Sequence, residues 1–207
     1  LACVQQNGVE LETELSVEFV APSGTTLNTG WTGKALTRAR VTLPHALDNT
    51  AVFFGEPTAW TATRAALGSR EVCVEVAQYG GERDCTAPAE RAVRALAAAY
   101  EGSTGLAYDE PLRVCLLDSG GGGVCVDHAL VVGFDPRANG PELHEDTRHT
   151  LAHELFHHWL GNDRLQPAED VVWFYEGFTD YIAVRTLAAT GLYTPAQFLR
   201  SEERRVG

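Results

Sequence analysis

The stretch HELFHHWLGN, residues 153–162, places three histidines and a glutamate within six positions. The pattern of residues 144–160 predicts a helix. His153 and His157 are four residues apart, so they project from one helix face about one turn from each other. Two imidazoles at this spacing can bind one zinc ion, and Glu154, at the edge of that face, can reach a water on the metal. The alternative is a buried amphipathic helix that holds no metal.

The neighbouring histidines are weaker candidates. His144 and His149 are five residues apart and share a helix face less well. His149 lies one turn before His153, which indicates a polar residue near the site rather than a ligand. His158 points about a quarter-turn or more away from His157 and is given no role.

A second predicted helix, begun near Asp170, contains WFYEGFTDY at residues 173–181. Zinc in a hydrolytic site takes three protein ligands and leaves one position for water. Glu176 lies nineteen residues after His157, and an antiparallel second helix would bring it back to the histidine pair as the third ligand. Asp180, one turn further on the same side, would accept a hydrogen bond from the other nitrogen of a zinc-bound histidine. The alternative is an ordinary amphipathic helix with solvated acids.

These two stretches resemble the gluzincin zinc metallopeptidases, in the branch that holds the glycyl aminopeptidase and aminopeptidase N families. Both families carry HExxH, a Trp two residues after the second His (here Trp159), and a Glu-Gly-Phe that contains the third ligand. GFTDY and residues 164–167 (RLQP) resemble the glycyl aminopeptidase family more closely. Residues 161–162 (GN) resemble the aminopeptidase N family more closely. The firm resemblance covers about residues 120–190.

The resemblance implies one Zn²⁺ with His153, His157 and Glu176 as ligands. Glu154 would be the catalytic general base for the zinc-bound water, and Asp180 would support the ligands from behind. The implied activity is zinc-dependent peptide-bond hydrolysis, of the aminopeptidase kind, on a peptide or protein substrate. The alternative is a catalytically weak or inactive zinc-bound binding or scaffold domain of the same fold. The retained glutamate argues against that alternative, because a structural zinc needs no base.

The implied fold class is α+β. It is a thermolysin-like zincin catalytic domain with a mixed, mostly antiparallel sheet and zinc-binding helices, preceded by a β-rich N-terminal segment. We assign residues 1–48 to that segment and residues 49–207 to the peptidase domain, which we expect to be incomplete at its C-terminus.

Two departures from the families bear on the activity. Their substrate-binding edge strand ends in an acidic residue that holds the free amine of the peptide. The counterpart in GGGGVCVDH is Asp127. The alternative, equally well supported, is that Asp127 is only a turn residue near a hairpin. The families also place an oxyanion-stabilising tyrosine well downstream of the third ligand. No counterpart is evident here, so we expect weak hydrolysis at most, with Tyr181, Tyr193 or His149 as the next candidates for this role.

Charge argues against two classes of partner. The formal net charge is -12, whereas nucleic acid and anionic membrane surfaces both reward clustered Lys and Arg. No apolar run approaches the roughly 18 residues that would span a bilayer. Lys34 is the only lysine, which we interpret as a sign of a GC-rich genome. Separately, we expect a bacterial origin.

The cysteines suggest an oxidising compartment. Cys115 and Cys125 flank a run of glycines, and Cys73 and Cys85 flank a Gly-rich turn, so the sequence predicts two disulfides with Cys3 left over. Disulfides favour an extracytoplasmic location, whether secreted, periplasmic or lipid-anchored. Leu1-Ala2-Cys3 also resembles the end of a bacterial lipoprotein signal. The alternative is five buried thiols in a cytosolic protein.

Overall fold

The computed structural model describes residues 5–6, 9–10, 16–20, 23, 27–29, 38–42, 52–67, 70–108, 110–126, 129–135, 142–160 and 171–206. The chain divides into two compact units, Leu1–Glu56 and Pro57–Gly207. The described part of the first unit consists of short antiparallel strand pairs. These pairs are β1 (Gln5–Gln6) with β2 (Val9–Glu10), β3 (Ser16–Val20) with β5 (Arg38–Thr42), and β4 (Leu27–Thr29) with β6 (Val52–Phe54).

The second unit is built on a five-stranded mixed sheet in the order β10-β11-β9-β8-β7. Its strands are β7 (Ala59–Leu67), β8 (Arg70–Tyr79), β9 (Leu112–Asp118), β10 (Gly123–Val126) and β11 (Ala129–Phe134). Pairs β7–β8 and β10–β11 are antiparallel, and pairs β8–β9 and β9–β11 are parallel. The prediction of a mostly antiparallel sheet is therefore wrong, because two of the four strand pairs are parallel. The prediction of a fold that mixes helices with a mixed sheet is confirmed.

The helices of this unit are α1 (Thr86–Thr104), α2 (Glu145–Leu160), α3 (Val172–Ala189) and α4 (Pro195–Val206). Helix α1 ends at Gly105, whose φ of 68° lies in the left-handed region that glycine adopts without steric cost. Tyr100 of α1 is fully buried, donates a hydrogen bond of 2.8 Å to the carbonyl of Ala152, and packs its ring against Phe156 and Trp159. Helix α2 is thereby held in the core.

The sequence also predicts a hairpin across the glycine run, with Cys115 and Cys125 on its two strands, and the observed topology differs. The sequence predicts one strand over residues 124–134 beside the strand at 112–117. Instead, β10 and β11 are two strands, and β11 lies between β9 and β10, parallel to β9. The strand that precedes the glycines and the one that follows them are therefore not neighbours.

This strand order explains why Cys115 and Cys125 form no disulfide. Cys115 is in register with Val131, which is in register with Val124 on the far side of β11. Side chains in register share a sheet face, and successive side chains alternate, so Cys125 points to the face opposite Cys115. The two cysteines also lie two strands apart, a separation of about 9.5 Å.

Cys73 and Cys85 likewise form no disulfide. Strand β8 continues for six residues beyond Cys73, to Tyr79, which is roughly 20 Å of extended chain before the turn begins. Cys85 lies in the hydrophobic core with Val72 and Val74, so Cys73, between those two valines, points to the other face of the sheet. Both predicted disulfides are wrong, and the prediction of an extracytoplasmic location loses this support.

Two glycines permit close approaches that shape the end of the sheet beside α2. A Cβ atom at Gly123 would lie 2.5 Å from Cγ2 of Thr150 and 2.9 Å from Cγ of Glu154. A Cβ atom at Gly133 would collide with the carbonyl oxygen of Gly121 and the hydroxyl of Ser119. The missing side chains thus let α2 lie directly against β10 and let the glycine run fold over β11.

Among the helices that the structure describes, none is both long and apolar enough to cross a membrane.

Gly133→Ala should destabilise the protein by about 1–3 kcal/mol, because its methyl group would be forced into backbone atoms in a packed region. Gly102→Ala is the matched control: Gly102 lies in α1, and an added methyl group there would meet no atom within 4 Å apart from its chain neighbours and the backbone of its own helix. This control should stabilise the protein by about 0.5–1 kcal/mol through helix propensity. Urea unfolding measures both changes. Equal stability of Gly133→Ala and wild type would contradict the close approach.

Cys73, Cys85, Cys115 and Cys125 should all be alkylated by iodoacetamide in denaturant without reductant, since none of them forms a disulfide. In the folded protein Cys73, which is partly exposed, should react well before Cys115, because burial raises the pKa of Cys115 to about 12. Peptide mass mapping follows both reactions. A cross-linked peptide containing Cys115 and Cys125 would disprove the strand order.

Candidate metal centre

The site is built where α2 and α3 pack against each other. Contacts along the two helices occur in opposite order: His149 contacts Asp180, whereas His157, further along α2, contacts Tyr175, which is earlier in α3. The two helices therefore run antiparallel, as the sequence predicts. This arrangement brings Glu176 opposite His153 and His157.

Three donor atoms converge at this point. The Nε2 atoms of His153 and His157 are 3.2 Å apart. Oε2 of Glu176 lies 3.0 Å from Nε2 of His153 and 3.7 Å from Nε2 of His157. His157 is buried, while the Glu176 side chain is 47% exposed, so the cluster opens to solvent on its α3 side.

The spacing of these atoms fits a zinc ion. Ligand atoms about 2.05 Å from a tetrahedral zinc lie about 3.3 Å from one another. The three measured distances, from 3.0 to 3.7 Å, lie on either side of that value. Two imidazoles and one carboxylate also form a donor set of a catalytic site with three protein ligands, which leaves a fourth position open.

The environment favours the neutral imidazole that a metal requires at one of the two histidines. Burial and the neighbouring His153 lower the pKa of His157 to about 4, so its ring is neutral at pH 7. Burial also lowers the pKa of His153, but a hydrogen bond with Asp180 and the charges of Glu154 and Glu176 outweigh it, and the net shift is upward. A metal at this point would compete with a proton for His153.

Asp180 lies behind His153, on the side away from the cluster. One of its oxygens, Oδ1, is 3.7 Å from Nδ1 of His153 and makes a short hydrogen bond with Nε2 of His149. His149, His153 and Asp180 also lie close enough together to form a second group of potential metal ligands. However, Asp180 faces Nδ1 of His153, whereas Nε2 of the same ring faces His157. The second group therefore lies on the opposite edge of the His153 ring from the first.

Tyr175 occupies the equivalent place behind His157, and the sequence reasoning missed it. Its hydroxyl oxygen is 3.1 Å from Nδ1 of His157, and the two rings are nearly parallel, at 19°. Burial is the main cause that raises the pKa of Tyr175 to about 12, so the phenol is neutral at pH 7. The sequence did offer one indication of this contact. Tyr175 directly precedes Glu176, so an antiparallel α3 that brings Glu176 to the histidine pair also brings Tyr175 close to His157.

Glu154 lies beside the cluster and against the edge strand β10. The backbone N–H of Cys125 donates a hydrogen bond to its carboxylate. Burial raises the pKa of Glu154, the negative charge of Glu176 adds to that rise, and His153 and the Cys125 hydrogen bond partly oppose it. A carboxylate that is partly desolvated in this way is a stronger base than one in water.

The remaining candidates lie elsewhere or outside the described residues. Asp127 falls outside them. The hydroxyl of Tyr193 donates to the carbonyl of Glu145 at 3.4 Å, and that of Tyr181 accepts from Arg185 at 2.9 Å. His158, which was given no role, packs its ring at a tilt of 34° against Tyr108 and contacts the thiol of Cys125 at 3.6 Å.

Comparison with known proteins shows the fold. No family model and no curated protein matches the chain. Among solved structures, an aminopeptidase N family protein from Idiomarina loihiensis matches with a TM-score of 0.66 and 17% identity, over 91% of this chain and 36% of the other. An M1 zinc metallopeptidase from Deinococcus radiodurans matches with a TM-score of 0.56 and 18% identity, over 86% of this chain and 41% of the other.

A mutant of the Deinococcus radiodurans protein, solved with a Tyr-Ser-Ala substrate, matches with a TM-score of 0.54 and 19% identity. It covers 86% of this chain and 41% of that chain. The present chain thus spans well under half the length of these solved proteins. At such identities the likeness shows that the chain has the fold of a part of M1 zinc metallopeptidases.

The chain should bind about one equivalent of zinc, and His153→Ala should lose most of it, because two remaining ligands hold zinc much less tightly than three. His144→Ala is the matched control on the same stretch of chain: His144 is 49% exposed and contacts Asp146 instead of the cluster. Elemental analysis after dialysis gives the zinc content. Equal zinc in wild type and His153→Ala would rule out this cluster as the site.

Proposed function

We propose that the chain is a zinc-dependent peptidase of the gluzincin type that acts as an aminopeptidase. The observation that carries this proposal is the convergence of His153, His157 and Glu176, with Glu154 beside them on a sheet edge. The fold shared with M1 zinc metallopeptidases supports it independently. The resemblance of HELFHHWLGN and WFYEGFTDY to this group of enzymes points the same way.

In the proposed reaction, His153, His157 and Glu176 hold the metal and Glu154 moves the proton. When bound, zinc would supply a Lewis acid that acidifies water and polarises the peptide carbonyl. Glu154 takes the proton of the attacking water and delivers it to the leaving amine. Its burial and its hydrogen bond from Cys125 hold the carboxylate in one orientation for both transfers. Asp180 supports His153 by accepting from its Nδ1.

The edge strand β10 is the proposed place for the substrate backbone. It is the last strand of the sheet on this side, and an extended peptide can add to such an edge through main-chain hydrogen bonds. Glu154 lies against this strand, so a peptide added there would pass the proposed base. Asp127 follows β10 in the sequence, and we propose it as the anchor for the free amine of the peptide.

One observation favours the alternative of a zinc-bound domain with weak or no turnover. The hydroxyl groups of Tyr181 and Tyr193 are engaged with Arg185 and with the Glu145 carbonyl. The hydroxyl of Tyr175 lies on the ring edge of His157 that faces away from the cluster. Tyr193 therefore donates its hydroxyl proton elsewhere, and the hydroxyl of Tyr175 lies on the far side of His157, so neither stabilises an oxyanion at the cluster. Removing one oxyanion donor lowers kcat by about 10²–10³ in well-studied hydrolases.

Glu154→Gln should retain zinc and lose peptidase activity, by about 10²–10⁴ in kcat, because the amide keeps the shape but cannot accept the water proton. Zinc content and turnover are measured on the same sample, with peptides whose N-terminus is free or blocked. Hydrolysis of free peptides alone would support the aminopeptidase assignment and Asp127.

Three results would count against the proposal. Undiminished turnover in Glu154→Gln would remove this residue as the base. Turnover that survives complete removal of zinc would remove the metal mechanism. Zinc binding by the wild-type chain with no hydrolysis of either peptide would favour the inactive scaffold domain.

A further inference from the structure

The contact between Tyr175 and His157 joins α3 to α2 directly behind the candidate ligand cluster. The phenol oxygen lies 3.1 Å from Nδ1, while Nε2 of the same imidazole faces His153 and Glu176. The hydroxyl of Thr179 donates to the carbonyl of Tyr175 at 2.9 Å, and Thr179 itself is fully buried. The phenol is therefore attached one turn before a fully buried residue of α3, although its neighbours Trp173 and Phe174 are exposed.

Zinc bound at Nε2 requires one particular tautomer of His157. A neutral imidazole has one N–H and one lone pair, so only the Nδ1–H form presents a lone pair at Nε2. Nε2 of His153 is 3.0 Å from a Glu176 oxygen and 3.2 Å from Nε2 of His157. A lone pair on Nε2 of His157 would point into this cluster of donor atoms, where the zinc ion is proposed to bind. The Nδ1 proton of His157 then points to the phenol oxygen, which accepts it.

We propose that Tyr175 is a positioning residue of the metal centre, whose hydroxyl accepts the Nδ1 proton of His157 and keeps the Nε2 lone pair directed at the zinc. This inference rests on the zinc site proposed above. The two histidines are then supported differently. His153 is backed by a carboxylate, Asp180, and His157 by a neutral phenol, which orients the ring without adding negative charge at the more buried ligand.

The test is Tyr175→Phe, which removes one oxygen atom and leaves the aromatic ring to pack on His157. Zinc affinity, measured by competition with a chromophoric chelator, should fall about 10–100-fold, the usual loss when the hydrogen-bond partner of a metal-bound histidine is removed. Tyr181→Phe is the matched control: it makes the same change on the same helix, at a hydroxyl that contacts Arg185. It should leave zinc affinity unchanged.

A second readout needs no metal and no activity. Nitrogen-15 NMR of the metal-free protein distinguishes the two tautomers of His157. Wild type and Tyr181→Phe should show the Nδ1–H form, and Tyr175→Phe should show a mixture with the Nε2–H form. If Tyr175 had a purely structural role, Tyr175→Phe would lower the melting temperature without changing the tautomer of His157.

The outcomes separate the two proposals. If wild type binds zinc, and Tyr175→Phe matches it in both zinc affinity and tautomer, the positioning role is wrong and the zinc site stands. If wild type binds no zinc at all, the zinc site is wrong and the positioning role falls with it. Weakened zinc binding together with a changed tautomer in Tyr175→Phe alone supports the proposal.

Discussion

The antiparallel packing of α2 against α3 is the constraint on which the rest of the site depends. It sets His149 against Asp180 and His157 against Tyr175, so that Glu176 reaches the histidine pair between them. Gly123 holds α2 close to the edge strand, and the fully buried Tyr100 holds it in the core. The described groups of the cluster therefore lie on two packed helices, and the contacts of α2 with Gly123 and Tyr100 fix where those helices lie.

This packing also concentrates charge in a partly desolvated place. Glu154, Glu176 and Asp180 surround two histidines, and their negative charges raise the pKa of His153 although burial opposes it. Such a cluster of acids and imidazoles is costly to bury unless each group has a partner. A divalent cation would offset the acids, and the donor distances suit zinc. Charge and geometry thus favour the same occupant.

The sequence was sufficient for features that repeat along one helix and insufficient for features set by strand order. The four-residue spacing of His153 and His157 survives in the structure because a helix has a fixed period. The pairing of Cys115 with Cys125 failed because β11, which follows both in sequence, lies between them. Tyr175 was missed because its role depends on which α2 residue it meets, and only the packed helices show that.

The most direct test of the account is zinc K-edge X-ray absorption on the zinc-loaded chain. The account predicts a four-coordinate zinc with two imidazole nitrogens and two oxygens at about 2.0–2.2 Å, one oxygen from Glu176 and one from water. A sulfur neighbour at about 2.3 Å would bring Cys125 into the ligand set. That result, or a third imidazole from His149, would contradict the assignment of His153, His157 and Glu176 as the complete set of protein ligands.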